Sequence, residues 1–331
     1  MNACIVGFGC IGPVHAKAIQ NINGVSLYAV CDIVKERADS GAIKFNSKAY
    51  YNYEDCLSDT NIDVVHICTP HYLHFDMIIK ALDAGKCVVI EKPVTINKAE
   101  LDYLIANYDT DMVFPIVQNR TNACIVRMKE LISSNDYGNL KGVKGLVTWH
   151  RDAHYYNSES WRGKKEFEGG GVLINQAFHT LDLMVYLCGK VKSVQASMKN
   201  YSLVDVIDVE DTLDAYINFE NGAKGIFYAT NAYIENDSVQ LELVFDKAKF
   251  LYRDNKLFLN EELICSDDSE FTGKKYWGNG HVKTLNEYYS NKSALSLSSV
   301  KNTMETIFAI YESAEKGSET LMYKGSFGTS G

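Results

Sequence analysis

Proline is scarce in this chain and confined to residues before 120: Pro13, Pro70, Pro93 and Pro115, with none after them. Proline cannot donate to a β-ladder. The proline-free remainder, rich in alternating apolar and aromatic residues, therefore predicts a second region built on an extended sheet. No run approaches the ~18 apolar residues of a membrane span, so no membrane partner is expected. The opening Met1-Asn2-Ala3-Cys4-Ile5-Val6 lacks a charged leader and a cleavage site, which predicts no secretory signal. No Cys-x-x-Cys pair occurs, and the nine cysteines (4, 10, 31, 56, 68, 87, 124, 188 and 265) are scattered. They predict buried free thiols in a reducing, cytoplasmic compartment. No long run of Lys and Arg suggests a basic patch; with 33 Lys and Arg against 42 Asp and Glu, the net charge is −9. That balance lacks the electrostatic footprint of a nucleic-acid binder.

What is present fits a globular chain of two domains: 331 residues, 46% of them apolar. Up to residue 118, short apolar runs (3–6, 25–31, 62–68, 87–90 and 112–118) alternate with helical patterns (13–22, 34–45, 72–84 and 97–108). Alternation at this spacing predicts βαβ units and a doubly wound parallel sheet, with its ligand beyond the carboxyl ends of the strands. Beyond it, helices are expected at 122–134, 281–291 and 298–315, and strands at 143–149, 191–200, 211–220, 223–232, 238–245 and 249–252. Gly169-Gly170-Gly171 is expected to open a long helix to about residue 187. Strands in succession with turns such as Asn221-Gly222 predict an α+β domain with a large, mostly antiparallel open sheet. The expected division is 1–120, 121–324 and a Gly/Ser-rich flexible tail at 325–331.

Three local patterns carry chemistry. Gly7-Phe8-Gly9-Cys10-Ile11-Gly12 follows an apolar strand and opens a helix, and Asp32 ends the next strand. Glycines permit the tight turn and the close approach of a pyrophosphate, whose charge the helix N-terminus attracts. Asp32 is placed to accept the ribose hydroxyls. A carboxylate there repels a 2′-phosphate and is followed by Ile33 and Val34 rather than a basic residue, which favours NAD over NADP. The second pattern, Glu91-Lys92-Pro93, ends the strand at 87–90. A lysine there suits proton exchange with a substrate hydroxyl, and burial beside a cationic ring would lower its pKa into a useful range. In the third, Asn175, His179 and Asp182 fall on one face of the expected helix beside an apolar stripe of Ile174, Phe178, Leu181 and Val185. His179 suits an acid/base, oriented by Asn175 and Asp182. Two converging donors are too few for a metal, so none is expected.

These motifs, in this order and over nearly the whole chain, resemble the Gfo/Idh/MocA oxidoreductase family (glucose–fructose oxidoreductase and inositol dehydrogenase types). The resemblance extends to Thr69-Pro70-His71-Tyr72-Leu73-His74, Gln118-Asn119-Arg120, Trp161-Arg162 and Tyr311-Glu312-Ser313-Ala314. It implies a Rossmann domain, a nicotinamide cofactor, substrates among sugars, polyols and their derivatives, and dimers or tetramers built through the C-terminal sheet. It implies Lys92 and His179 as catalytic residues. Thr69, Pro70, His71, His74, Glu91, Lys92, Gln118, Trp161 and Arg162 fall where the family contacts the cofactor. The chain departs from many members by carrying Asn175 in place of Asp, as some nucleotide-sugar 3-dehydrogenases do. An amide cannot raise the basicity of His179, which leaves Lys92 as the preferred base. Arg120, Trp149, Arg151, Tyr155, Tyr156, Asn175, His179 and His281 are the candidates for gripping substrate. The expected reaction is hydride transfer between nicotinamide and a secondary alcohol. Two other classes compete: a glycosidase using NAD transiently, which would turn over without net NADH, and an NAD-binding regulator, which would need neither Lys92 nor His179.

Overall fold

The computed structural model describes residues 1–267, 280–290 and 295–322; the expected tail at 325–331 lies outside them. The chain divides into two compact units. The first comprises Met1–Val126, Lys165–Gly169 and Asp267–Lys301; the second comprises Arg127–Lys164, Gly170–Ser266 and Asn302–Gly331. In chain order the helices are α1 (Gly12–Ile19), α2 (Lys35–Phe45), α3 (Tyr53–Ser58), α4 (His74–Asp83), α5 (Lys98–Asn107), α6 (Ala123–Ser133), α7 (Ala153–Asn157), α8 (Lys165–Glu168), α9 (Phe178–Cys188), α10 (Gly280–Ser290) and α11 (Leu297–Lys316).

The first unit holds the expected doubly wound sheet. Its strands are β1 (Asn2–Val6), β2 (Ser26–Cys31), β3 (Lys48–Tyr50), β4 (Val64–Ile67), β5 (Cys87–Ile90) and β6 (Val113–Pro115). They lie in the order β3-β2-β1-β4-β5-β6, and every pairing is parallel. The order reverses between β1 and β4, which puts the ligand crevice at their carboxyl ends. Strand β4 is buried at every position and β5 nearly so, as expected for strands covered on both faces. One face packs Ala18, Val64, Val89, Phe114 and Ile116 against Leu285 and Tyr288, so α10 covers a sheet formed from residues far earlier in the chain. The short β3 and α3 carry too little apolar periodicity to be expected from sequence; Asn52 caps α3 by accepting from the Glu54 N–H.

The second unit contains a nine-stranded sheet. Its strands are β7 (Leu140–Thr148), β8 (Val191–Lys199), β9 (Thr212–Phe219), β10 (Lys224–Thr230), β11 (Gln240–Phe245), β12 (Lys249–Arg253), β13 (Lys256–Leu259), β14 (Glu262–Ser266) and β15 (Thr320–Leu321). The order is β14-β13-β12-β11-β7-β10-β9-β8-β15. Only the β7–β10 pairing is parallel among those described. Alternation is plain in β9: Leu213, Ala215, Ile217 and Phe219 are buried, while Asp214 and Tyr216 face away. Helix α9 packs on the buried face near Gly145, where a Cβ would stand 3.4 Å from Met184 Sδ. Tyr216, Ile226 and Val244 are exposed, from three strands of the same sheet.

One expected helix is corrected. Residues 169–177 form turns, and the helix starts only at Phe178. The Glu210 carboxylate, 39 residues away, accepts from the Gly171 N–H at 2.8 Å and from that of Leu173. The Ala177 N–H turns back to the Val172 carbonyl at 2.8 Å, five residues earlier, and the regular ladder begins only after it. Asn175 consequently lies in the turn segment and does not share a helical face with His179 and Asp182.

Candidate active site

In the first unit, the glycine loop runs from β1 into α1. Gly7 has φ +89, and a Cβ on it would stand 2.7 Å from the Cys68 carbonyl oxygen, so neither the backbone angle nor the space admits another residue. The Gly7 N–H donates to the Cys31 carbonyl at 2.9 Å. Asp32, at the end of β2, closes the loop from the other side. Its Oδ2 accepts from the Phe8 N–H at 2.7 Å and its Oδ1 from the Val34 N–H at 2.8 Å. A carboxylate offers about four acceptor positions, so two backbone bonds leave room for ribose hydroxyls. Gly9 has open space where a Cβ would stand, and Cys10 is exposed, as a loop facing a diphosphate requires. Phe8 turns inward onto Phe45, and Ile11 is half-buried. The residues present fit a dinucleotide.

The next two motifs meet in the same unit. His74 lies with Nδ1 2.7 Å from the Pro93 carbonyl and Nε2 2.9 Å from the Thr69 carbonyl, tying the Thr69-Pro70 turn to the Lys92-Pro93 turn. His71 Nδ1 is 3.0 Å from the Glu168 carbonyl. Lys92 is half-buried, immediately beyond β5. Gln118 and Arg120 are buried, and Arg120 donates to the Ser299 carbonyl at 3.2 Å.

Behind Lys92 lies a chain of buried side chains that the sequence did not announce. His15 Nε2 is 2.9 Å from Glu91 Oε1, and His281 Nε2 is 3.3 Å from the same oxygen. His15 Nδ1 is 2.9 Å from His66 Nδ1, and His66 Nε2 is 2.7 Å from the Tyr289 hydroxyl. His281, expected among the substrate residues, is therefore placed against Glu91 and is 4% exposed. The donor atoms of His15, Glu91 and His281 lie within 4.8 Å of one another, the one such group among the described residues. Burial pushes the Glu91 carboxyl up, but hydrogen bonds from His15 and His281 outweigh it and hold it well below the ordinary carboxylate range. Burial lowers His15 despite Glu91, and burial lowers His66 strongly.

These shifts set a stability trend. The unfolded histidines titrate near 6.5. Below that value the unfolded chain binds protons that the buried His15 and His66 refuse, so stability is complete above it and drains away as pH falls. The loss falls between pH 7 and pH 5, where the unfolded histidines take up protons that the buried rings do not. Thermal melts should show the midpoint falling steadily over that range; a flat midpoint would mean the two rings are charged in the fold.

The second unit gathers Trp149, Arg151, Tyr155, Tyr156, Trp161 and Arg162 into one cluster. The Arg162 guanidinium lies 4.7 Å from the Tyr155 ring centre and 4.8 Å from that of Trp161, and donates to the Tyr155 hydroxyl at 2.7 Å. Arg151 lies 5.1 Å from both Trp149 and Tyr155. Tyr156 packs edge-on against Tyr155, and its hydroxyl accepts from Asn231 Nδ2 at 2.9 Å. Asn231 also donates to Gln176 Oε1 at 3.0 Å, and Gln176 donates to the Tyr155 hydroxyl at 3.2 Å. Gln176, Asn231 and Glu210 were not singled out in the sequence; only the fold reveals their positions. His179 opens α9 half-buried, and Asp182 accepts from Thr303 at 2.8 Å.

No described helix is long and apolar enough to cross a membrane. Comparison with known proteins gives three findings. Residues 1–114 match the model of an oxidoreductase family with an NAD-binding Rossmann fold, and residues 125–251 match the C-terminal domain model of the GFO/IDH/MocA group. Levoglucosan dehydrogenase from Pseudarthrobacter phenanthrenivorans is 25% identical over 318 residues, 85% of this chain and 81% of that protein. Inositol 2-dehydrogenase from Salmonella paratyphi B is 30% identical over 193 residues, and the match spans about half of each protein, 56% of this chain and 54% of the enzyme. Among solved structures, the WlbA dehydrogenase from Bordetella pertussis in complex with NADH and UDP-GlcNAcA is 26% identical. It superposes with a TM-score of 0.85 over 96% of this chain and 98% of the other.

Proposed function

Because the chain belongs to the Gfo/Idh/MocA oxidoreductase family, we propose that it is an NAD-dependent dehydrogenase oxidising a secondary alcohol of a sugar, a polyol or a sugar derivative. One observation carries this reading: in a single unit, a glycine loop closed by Asp32 stands at the end of β1 while Glu91-Lys92-Pro93 stands at the end of β5. The curated relatives named for sugar and polyol oxidation support the substrate class.

Each residue then has a task. The exposed loop backbone and the start of α1 hold the diphosphate, and Asp32 holds the ribose. When bound, the nicotinamide supplies the hydride acceptor. Lys92 takes the hydroxyl proton, and His179 donates to the same oxygen and aims it; fixed placement and proton transfer are what the protein adds. Asn175, an amide, holds the substrate without sharing a proton. The aromatic and guanidinium cluster around Tyr155 presents flat apolar faces edged with donors, a surface suited to sugar rings. The cofactor is NAD rather than NADP, because Asp32 occupies the site where a 2′-phosphate would need a cation.

The testing experiment is a panel of sugars, polyols, anhydro sugars and nucleotide sugars with NAD, followed by NADH absorbance. One or more should give NADH in step with a ketone product. Glycoside cleavage without net NADH would replace this reading with the glycosidase, and tight NAD binding without any turnover would replace it with the regulator.

The exposed face carrying Tyr216, Ile226 and Val244 is proposed as the surface through which copies of the chain associate, since these exposed apolar side chains lie beside the Lys144–Glu242 ion pair, the mixed apolar and charged make-up of a protein–protein contact. Light scattering should show a dimer or tetramer that Ile226→Lys reduces to smaller species; an unchanged mass would place the interface elsewhere.

A further inference from the structure

The buried chain behind Lys92 has a definite direction. Glu91 in its anionic form offers only acceptors, so His15 and His281 must each present an Nε2–H to it. A neutral His15 with its proton on Nε2 has a bare Nδ1, which accepts from His66 Nδ1–H. A neutral His66 with its proton on Nδ1 has a bare Nε2, which accepts the Tyr289 O–H. Glu91 Oε1 accepts twice, each ring nitrogen along His15 and His66 has one partner, and neither of these imidazoles needs a charge. The result is one buried negative charge, oriented by two donors from α1 and α10. It sits one residue before Lys92, at the strand end where a nicotinamide is proposed to lie. The groups facing it are His15, His66, Cys68, His74, Lys92 and His281.

Resting on the cofactor reading above, we propose that His281, His15 and His66 are positioning residues that hold Glu91 as a fixed buried anion, and that this anion makes the pocket favour the oxidised, cationic nicotinamide over the reduced, neutral one. A buried charge is weakly screened and acts over several ångströms. The two forms of the ring differ by one unit of charge and little in shape. The ratio of their affinities therefore reports charge behind the ring, whereas a loss of packing weakens both forms together. His281 is the informative member, because it lies on α10, 190 residues from Glu91 in sequence, and belongs to none of the motifs.

The test uses the full chain. Dissociation constants for NAD and NADH are measured by titration calorimetry and NADH fluorescence at pH 7.5, for the unaltered protein and for E91Q, H281F and H281Q. Glu91→Gln should shift the NADH-to-NAD preference by about fivefold or more toward NADH. His281→Phe, which removes one of the two donors, should move the ratio the same way. His281→Gln, which keeps an N–H, should restore most of it. If E91Q does not fold, the contrast between H281F and H281Q carries the test alone. Ratios equal within twofold in all folded variants would overturn the proposal and leave the cofactor reading standing. Failure of the unaltered protein to bind either form would overturn both. A stoichiometric divalent metal in the purified protein, lost in H281F, would also overturn it, since the three side chains would then be spent on that metal.

Discussion

Lys92→Ala will lower kcat by about two orders of magnitude or more, while NAD affinity changes by less than about threefold. The lysine is half-buried at the end of β5, on a turn tied by His74 to the Thr69 segment. Removing its side chain leaves those backbone bonds intact, so the loss falls on chemistry rather than on cofactor placement. Arginine is a poor substitute, because its guanidinium stays charged and cannot accept the hydroxyl proton. Steady-state kinetics with NAD titration checks both parts. Turnover within a few fold of the unaltered enzyme would take Lys92 out of the mechanism.

Asp32→Ala will weaken NAD binding by about 100-fold, with kcat at saturating NAD much less affected. Two causes combine. The ribose hydroxyls lose an ionised acceptor, and the Phe8 and Val34 N–H groups lose the oxygens that hold the loop and the start of α2 in place. Asp32→Asn separates them, because one amide oxygen remains an acceptor while the charge is gone; its affinity should fall between the two. Calorimetry gives the affinities directly. An unchanged constant in Asp32→Ala would show that the ribose is held elsewhere.

Much of the first unit could be read from the sequence because its signals are local. Cys87–Ile90 is a short apolar run bounded by Gly85-Lys86 and Glu91-Lys92-Pro93, and β5 spans the expected residues. The glycine loop and Asp32 also follow from spacing alone. The unforeseen parts depend on partners distant in the chain. The segment from residue 169 forms turns pinned by Glu210, which has no motif around it and accepts from the N–H groups of Gly171 and Leu173. A Cβ on Gly171 would stand only 1.9 Å from the Glu210 carbonyl oxygen, so that glycine serves close packing rather than helix initiation. Likewise, no local pattern pairs His281, a candidate for gripping substrate, with Glu91. Its place beside Glu91 depends on α10 packing over the first sheet, which no local pattern encodes. In the second unit, alternation revealed the central strands, but β13 and β14 lie past the last strongly periodic segment.

The central claim is that Lys92 and His179 act on one hydroxyl. It is tested most directly by a crystal structure of the chain with NAD and a reactive sugar from the panel. The Lys92 Nζ and a His179 ring nitrogen should each lie within about 3 Å of the same substrate oxygen, with the carbinol carbon facing the nicotinamide. A bound sugar whose reacting oxygen touches neither side chain, or touches them in separate places, would contradict it.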